Sequence, residues 1–343
     1  MRIALDATYS TGPQLTGIGI YSLRLLQGLA AGYPEDEFLF CYRPKQFRHA
    51  CLPHTGNVRR RLLQPPLPVF GADLFHGLNQ RVDRRPARRV ISTFHDLFVM
   101  TGEYSSPEFR ARFTKQAKSA AANSDLIITV SSFTADQVCS LLGIERSRIR
   151  IVPHGVDLPA EPDESLREDI ILFVGALQTR KNIQRLVEAF EHLPGEWQLV
   201  LAGAPSGYGG AEIVERIERS PARPRIQLTG YLVQHQLDDL YRRARIFTFA
   251  TLDEGFGIPV LEAMAHGIPV ITSSRSALPE VAGTASLLVD PYSVGELEEA
   301  LRKLVSNSGL RAEMAQRGRI RAAQFPWTQT VSSTHQVYRE VLK

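Results

Sequence analysis

The chain has 343 residues, 43% of them hydrophobic and 22% charged, a balance that fits a globular protein with ample core and length for two domains. No apolar run approaches the roughly 20 residues of a membrane span, Met1-Arg-Ile-Ala-Leu-Asp6 opens a strand rather than a signal peptide, and three scattered cysteines (Cys41, Cys51, Cys139) make neither a disulfide framework nor a CxxC metal site. The net charge of +4 divides unevenly: residues 1–157 hold 20 Lys+Arg against 13 Asp+Glu (+7), and residues 158–343 hold 20 against 23 (−3).

These features predict a cytoplasmic protein with reduced thiols. Strands alternate with amphipathic helices almost throughout, which predicts an α/β architecture with parallel sheets. The first unit runs from Arg2 to Ala7, through a loop holding Gly12, Pro13, Gly17 and Gly19, into a helix from about Ile20 to Ala31. Strand-like runs follow at Phe38 to Tyr42, Asp73 to His76, Arg89 to Phe94, Leu126 to Val130 and Ile149 to Val152, with helices at Pro107 to Ser124 and Phe133 to Leu142. Together they predict one Rossmann-like sheet. The arginine clusters Arg59-Arg60-Arg61, Arg84-Arg85 and Arg88-Arg89 supply much of this half's positive charge. Such a face could meet an anionic membrane surface at the inner leaflet or a phosphorylated acceptor. Without interleaved aromatics or a binding motif, nucleic acid is not expected.

Residues 156 to 168, with Pro159, Pro162 and several acids, lack an apolar period and read as a linker. A second sheet is predicted from Ile170 to Val174, Gln198 to Leu201, Arg225 to Leu228, Ile246 to Ala250, Val270 to Thr272 and Ser286 to Val289. Ile183, Leu186, Val187, Phe190 and Leu193 share one face of a helix with Asn182 as its N-cap, and Arg180 and Lys181 stand just before it. Two cations at a helix mouth beyond the carboxyl end of a strand sit where phosphates bind in such folds. The tail from Ser293 to Lys343 reads as helical, broken at Phe325-Pro-Trp327.

The densest chemistry lies in Glu254-Gly-Phe-Gly-Ile-Pro-Val-Leu-Glu262. Pro259 fits the first helical position, Glu262 then falls in the first turn, and Gly267 ends the helix after His266. Gly255 and Gly257 let the backbone approach a ligand, and the helix-start N–H groups favour an anion. Glu254 cannot itself hold a phosphate, because like charges repel; its partners would be hydroxyls, a nearby Lys or Arg, or a developing cation. Two linked sheets imply a cleft at the carboxyl ends of their strands. Thr16-Gly-Ile-Gly19 and Phe94-His95-Asp96 would face it from the first domain, and Arg180, Lys181, Tyr231 and the nonapeptide from the second. His95, a structural histidine if taken alone, becomes a catalytic candidate in that setting.

Seven ordered motifs carry a resemblance over nearly the whole chain: Thr16-Gly-Ile-Gly-Ile-Tyr21, Phe94-His-Asp96, Val152-Pro-His-Gly-Val-Asp157, Phe173-Val-Gly with Arg180-Lys-Asn182, Gly230-Tyr231 with Leu240-Tyr241, Glu254 to Glu262, and Leu278-Pro-Glu-Val281. They resemble the retaining GT-B glycosyltransferases of family 4, whose hallmark is Glu-x7-Glu, and within it bacterial mannosyltransferases that build surface polysaccharides. The resemblance implies a GT-B fold of two Rossmann-like domains facing each other across a cleft. Residues 1–157 would form the acceptor-side domain, residues 158–326 the donor-binding domain, and the helix 327–343 would pack back on the first.

The same resemblance assigns roles. Gly17 and Gly19 would let the backbone meet the donor diphosphate, and Arg180 and Lys181 would neutralise it. Glu262 would take the ribose hydroxyls and Glu254 the transferred sugar, with Gly255 and the amides of Phe256, Gly257 and Ile258 close by. Tyr231 and Leu232 would hold the base, and His95 would support the reacting centre. Two departures stand out: Ala176 follows Gly175 where many members have arginine, and His154 stands where Asn is commoner.

The implied partners are a nucleoside diphosphate sugar, with GDP-mannose expected and UDP-hexoses as the alternative, and a glycan or polyprenyl-linked saccharide acceptor. Variable first-domain loops such as Lys45 to Pro68 and Tyr104 to Lys118 would dock the acceptor. No metal or other cofactor is expected, since the chain has no Asp-x-Asp triplet. A nucleotide-sugar 2-epimerase and a non-catalytic nucleotide-binding subunit are the rival readings. A nicotinamide dehydrogenase is weaker, because the first loop lacks a correctly placed GxGxxG.

Overall fold

The computed structural model describes residues 1–12, 14–50, 55–64, 67–159 and 164–343. Pro13, Cys51 and Pro162, read above as loop, thiol and linker residues, lie outside the described residues. The chain divides into two units: residues 1–101, 107–155 and 325–343, and residues 102–106 and 156–324.

The first unit is built on seven parallel strands: β1 (Arg2–Asp6), β2 (Glu37–Tyr42), β3 (Val58–Leu62), β4 (Leu74–Gly77), β5 (Arg89–Phe94), β6 (Leu126–Thr129) and β7 (Ile149–Ile151). Their order is β3-β2-β1-β4-β5-β6-β7, so the winding reverses between β1 and β4. β1 is buried from Ile3 to Asp6, and its alternate side chains feed two cores. Ile3 and Leu5 pack with Tyr21, Leu25 and Leu29 of the helix Gly17–Gly32 and with Val331, Val337 and Tyr338 of the helix Trp327–Val341. Ala4 joins Phe94, Phe113, Ala117 and Val138 on the other face. The C-terminal helix is therefore an integral layer of this unit. A Cβ on Gly28 would lie 2.4 Å from Val331 Cγ2, so glycine there allows the two helices to approach.

The strand β3 was not expected. Its sequence, Val-Arg-Arg-Arg-Leu, has no apolar alternation, and it forms the sheet's outer edge with Arg59, Arg60 and Arg61 exposed. Charge along an edge strand keeps it from pairing with another chain. Lys45 to Pro68 and Tyr104 to Lys118 are likewise not simple loops, since they contain β3 and most of the helix Pro107–Asn123. Several basic residues are occupied within the unit. Arg59 Nε donates to Glu37 at 2.8 Å, and Arg85 bonds Asp125 at 2.6 Å and the Arg88 carbonyl at 2.7 Å.

The second unit has six parallel strands, β8 (Glu168–Val174), β9 (Gln198–Ala202), β10 (Ile226–Gly230), β11 (Ala244–Phe249), β12 (Val270–Ser273) and β13 (Ser286–Val289), ordered β10-β9-β8-β11-β12-β13. Here the winding reverses between β8 and β11, the crevice where ligands bind in open α/β sheets. Arg167, read as part of a linker, is 7% exposed and acts as a staple. Its guanidinium donates to the carbonyls of Tyr241 and Ala244 at 2.7 Å each and of His266 at 2.5 Å. The predicted C-terminal helix is also broken at Asn307, whose side chain caps the helix Ser308–Ala322 by accepting from Leu310 N–H at 2.9 Å.

Candidate active site

In the second unit the chain leaves β8 through Gly175, whose φ of +148° suits a residue without a Cβ. It then makes a short 3-10 turn, Thr179–Lys181, before the helix Ile183–Glu191. Asn182 occupies the N-cap position but caps nothing with its side chain. It is left-handed, with φ 60°, and its amide donates to the carbonyls of Ala250 at 2.9 Å and Pro291 at 2.6 Å. This ties the turn to the loop after β11 and presents both cations there.

Arg180 and Lys181 are each 8% exposed, as is Glu254, which lies beyond β11. Arg180 Nη1 donates to Glu254 Oε1 at 2.5 Å and to the Asp253 carbonyl at 2.9 Å. The Lys181 ammonium is bonded to that same Oε1 and lies 4.4 Å from the Phe249 ring centre, a cation–π contact. Both bonds fall on one oxygen, and Oε2 accepts none among the described residues. Burial opposes the charged form of Glu254, but the two cations outweigh it and hold the carboxyl below its ordinary range. Of the partners expected for Glu254, a nearby Lys and Arg are the ones it meets.

Gly255 and Phe256 continue to Gly257, a left-handed cap with φ +106°. A Cβ on Gly257 would lie 2.5 Å from Leu278 Cδ2, so conformation and space both call for glycine. The helix runs Ile258–Ala265, starting one residue earlier than predicted. Ile258 is its first residue, and Glu262 lies in the second turn rather than the first. Its Oε2 accepts from the Tyr241 hydroxyl at 2.9 Å. Burial pushes the Glu262 carboxyl up to about 7; the Tyr241 bond works against this, while Asp238 and Asp157 add to it. Tyr231 and Leu232 follow the edge strand β10, two strands from β8, with Tyr231 40% exposed.

In the first unit Gly17 and Gly19 are not in a loop; they begin the helix Gly17–Gly32. A Cβ on Gly19 would approach the Tyr9 carbonyl at 2.9 Å and Leu15 Cδ2 at 3.1 Å, so packing alone accounts for that glycine. His95 follows β5 and is 7% exposed. Its Nε2 lies 2.9 Å from the Leu78 carbonyl and its Nδ1 3.3 Å from His154 Nε2. Burial pushes His95 down to about 4, so its ring is neutral near pH 7. Sequence reasoning gave no role to Tyr241 or to His154. Each appeared within a motif, but nothing in the spacing shows which group either ring reaches.

Among the described residues no group of three or more His, Cys, Asp or Glu is placed to hold a metal ion, and no helix is long and apolar enough to cross a membrane.

Residues 38–159 match the family described as Glycosyltransferase Family 4, and residues 157–321 match Glycosyl transferases group 1. The chain is 29% identical to O-antigen chain mannosyltransferase B of Escherichia coli over 367 residues, covering 95% of this chain and 96% of the relative. It is 30% identical to D-inositol 3-phosphate glycosyltransferase of Acidothermus cellulolyticus over 408 residues, covering 99% and 90%. In fold it is similar to sucrose-phosphate synthase from Thermosynechococcus elongatus, with a TM-score of 0.83 at 22% identity over 99% of this chain and 98% of that one. With its pair of Rossmann-like units, this chain belongs to the family 4 glycosyltransferases of the GT-B fold.

Proposed function

We propose that this glycosyltransferase moves a hexose, with mannose from GDP-mannose as the leading assignment, onto a hydroxyl of a glycan or lipid-linked saccharide. The setting is the synthesis of bacterial surface polysaccharide or glycolipid, and the anomeric configuration is retained. The second unit binds the nucleotide sugar and the first takes the acceptor. The mannose assignment is supported by the whole-length similarity to the O-antigen mannosyltransferase.

The observation that carries this reading is the arrangement of Glu254, with one oxygen fixed by two cations and the other left to accept from a ligand. In the proposed complex Oε2 takes a sugar hydroxyl, while the positive charge of Arg180 and Lys181 faces the diphosphate. The acceptor oxygen bonds to the anomeric carbon as the bond to the diphosphate oxygen breaks, and the acceptor's proton passes to the leaving phosphate. Arg180, Lys181 and the amides of Phe256, Gly257 and Ile258 stabilise the charge that builds there. No step requires a metal. Glu262 receives the ribose hydroxyls, Tyr231 and Leu232 flank the base, and Gly17, Gly19 and His95 serve from the first unit.

A thermal-shift screen with GDP, UDP and their sugars tests the donor, followed by transfer assays on the donor that stabilises. Stabilisation by GDP-mannose together with a Lys181→Ala loss of at least about 10²-fold in turnover is the expected result. Near-normal transfer by Lys181→Ala would overturn the phosphate assignment. Epimerised nucleotide sugar formed without acceptor would overturn transfer itself.

A further inference from the structure

We infer that His154 is a positioning residue, whose ring N–H holds the His95 imidazole in one tautomer and one orientation. The inference rests on the reading that His95 serves sugar transfer.

A backbone carbonyl can only accept, so the 2.9 Å contact of His95 Nε2 with the Leu78 oxygen places the hydrogen on Nε2. The neutral ring then has a bare lone pair on Nδ1. His154 Nε2 stands 3.3 Å from that lone pair and must supply the hydrogen. His95 is thus held at both nitrogens, by the residue after β4 on one side and the segment after β7 on the other. The two rings lie nearly parallel, 6° apart, and the Tyr21 ring meets each at 4.8 Å between centroids. A ring flip at His95 would break both hydrogen bonds and the packing on Tyr21.

His154 is itself held on either side by the C-terminal helix. Thr330 Oγ1 donates to the Pro153 carbonyl at 2.8 Å. A Cβ on Gly155 would lie 2.5 Å from Trp327 Cα, so only glycine lets the segment pass that close. The helix that closes the first unit therefore fixes the residue that orients His95. Tyr338 of the same helix reaches the layer beneath, where its hydroxyl is 2.6 Å from His76 Nδ1 and His76 Nε2 is 2.8 Å from Thr93 Oγ1.

The test compares His154→Gln, which puts an amide N–H near the position of the ring Nε2, with His154→Leu, which keeps bulk but donates nothing. Long-range ¹H–¹⁵N NMR of the His95 ring reads the tautomer without any donor sugar. Sugar-transfer kinetics read the consequence. Wild type and His154→Gln should show a single Nε2–H tautomer, and His154→Leu a mixture. Transfer by His154→Leu should fall on the order of tenfold in kcat with the donor KM little changed, and His154→Gln should restore it. An unaltered His95 tautomer in folded His154→Leu, or equal kcat for the Leu and Gln variants, would overturn the inference. A wild-type protein that transfers no sugar while its NMR shows the expected tautomers would count against the proposed function instead.

Discussion

Arg180 Nη1 lies 2.5 Å from Glu254 Oε1, and Lys181 shares that oxygen, so two cations converge on one buried carboxylate. Any diphosphate arriving here meets an anion already in place. At about 5 Å and an effective dielectric of about 20, one unit charge is worth on the order of 3 kcal/mol before screening.

The Glu254→Gln variant should therefore bind GDP, UDP or inorganic diphosphate about tenfold more tightly, since about 1.4 kcal/mol of that repulsion survives as a tenfold change. Its transfer rate should nonetheless fall by at least about 10²-fold, because the carboxylate proposed to accept from the sugar is gone. Calorimetric titration checks the first effect and turnover the second. Weaker diphosphate binding by the variant would mean that Glu254 organises the cations rather than competing for them.

Glu262 should give donor binding a dependence on pH. Its folded-state value is raised to about 7 from an ordinary 4.5, so the stability linked to its protonated form is complete below about 4.5 and is lost as pH rises through 7. In the proposed complex ribose hydroxyls donate to the ionised form, so on that proposal nucleotide affinity should rise across the same upper range. Dissociation constants for GDP between pH 6 and 8 should rise less steeply with acid in Glu262→Gln, a comparison that cancels the phosphate's own titration. Tyr241→Phe removes a bond that lowers the Glu262 value and should move the midpoint upward.

Gly203→Ala should destabilise the second unit. The added Cβ would stand 1.9 Å from the Gly175 carbonyl oxygen, which is backbone and cannot rotate away. Overpacking of this kind costs about 1–3 kcal/mol or more, a drop in melting temperature of roughly 5–10 °C. An unchanged melting curve would show that β8 and β9 can separate at this end without cost.

Arg167→Met keeps much of the side chain's length but strands the Tyr241, Ala244 and His266 carbonyls. At about 1 kcal/mol or more for each buried acceptor left unpaired, the second unit should lose roughly 3 kcal/mol. Denaturant unfolding measures it, with nucleotide affinity of the folded fraction expected to change little.

Much of this protein was legible in its sequence. The alternation of apolar runs with amphipathic stretches marked two doubly wound sheets, and the seven motifs marked the family. Gly267, with φ +66°, ends its helix where a left-handed cap was expected. These features are local: a strand, a cap or a glycine turn is decided by the preferences of a few neighbouring residues. The failures were local readings overruled by distant partners. Asn182 was read as a side-chain cap until its amide found two remote carbonyls, and Arg167 as linker until three carbonyls surrounded it. The arginines of β3 hid an edge strand, because a strand with no face to bury there carries no period.

Only the tertiary structure decided which charges meet. Glu254 lies 73 and 74 positions from its two cations, and His95 lies 59 from His154. No periodicity spans such separations. The order of strands brings the ends of β8 and β11 together in one unit and those of β4, β5 and β7 into reach of one another in the other. The sequence by itself determined which chemical groups stand at the strand ends. The winding of each sheet determined their partners, and with them the charge and protonation state of each group.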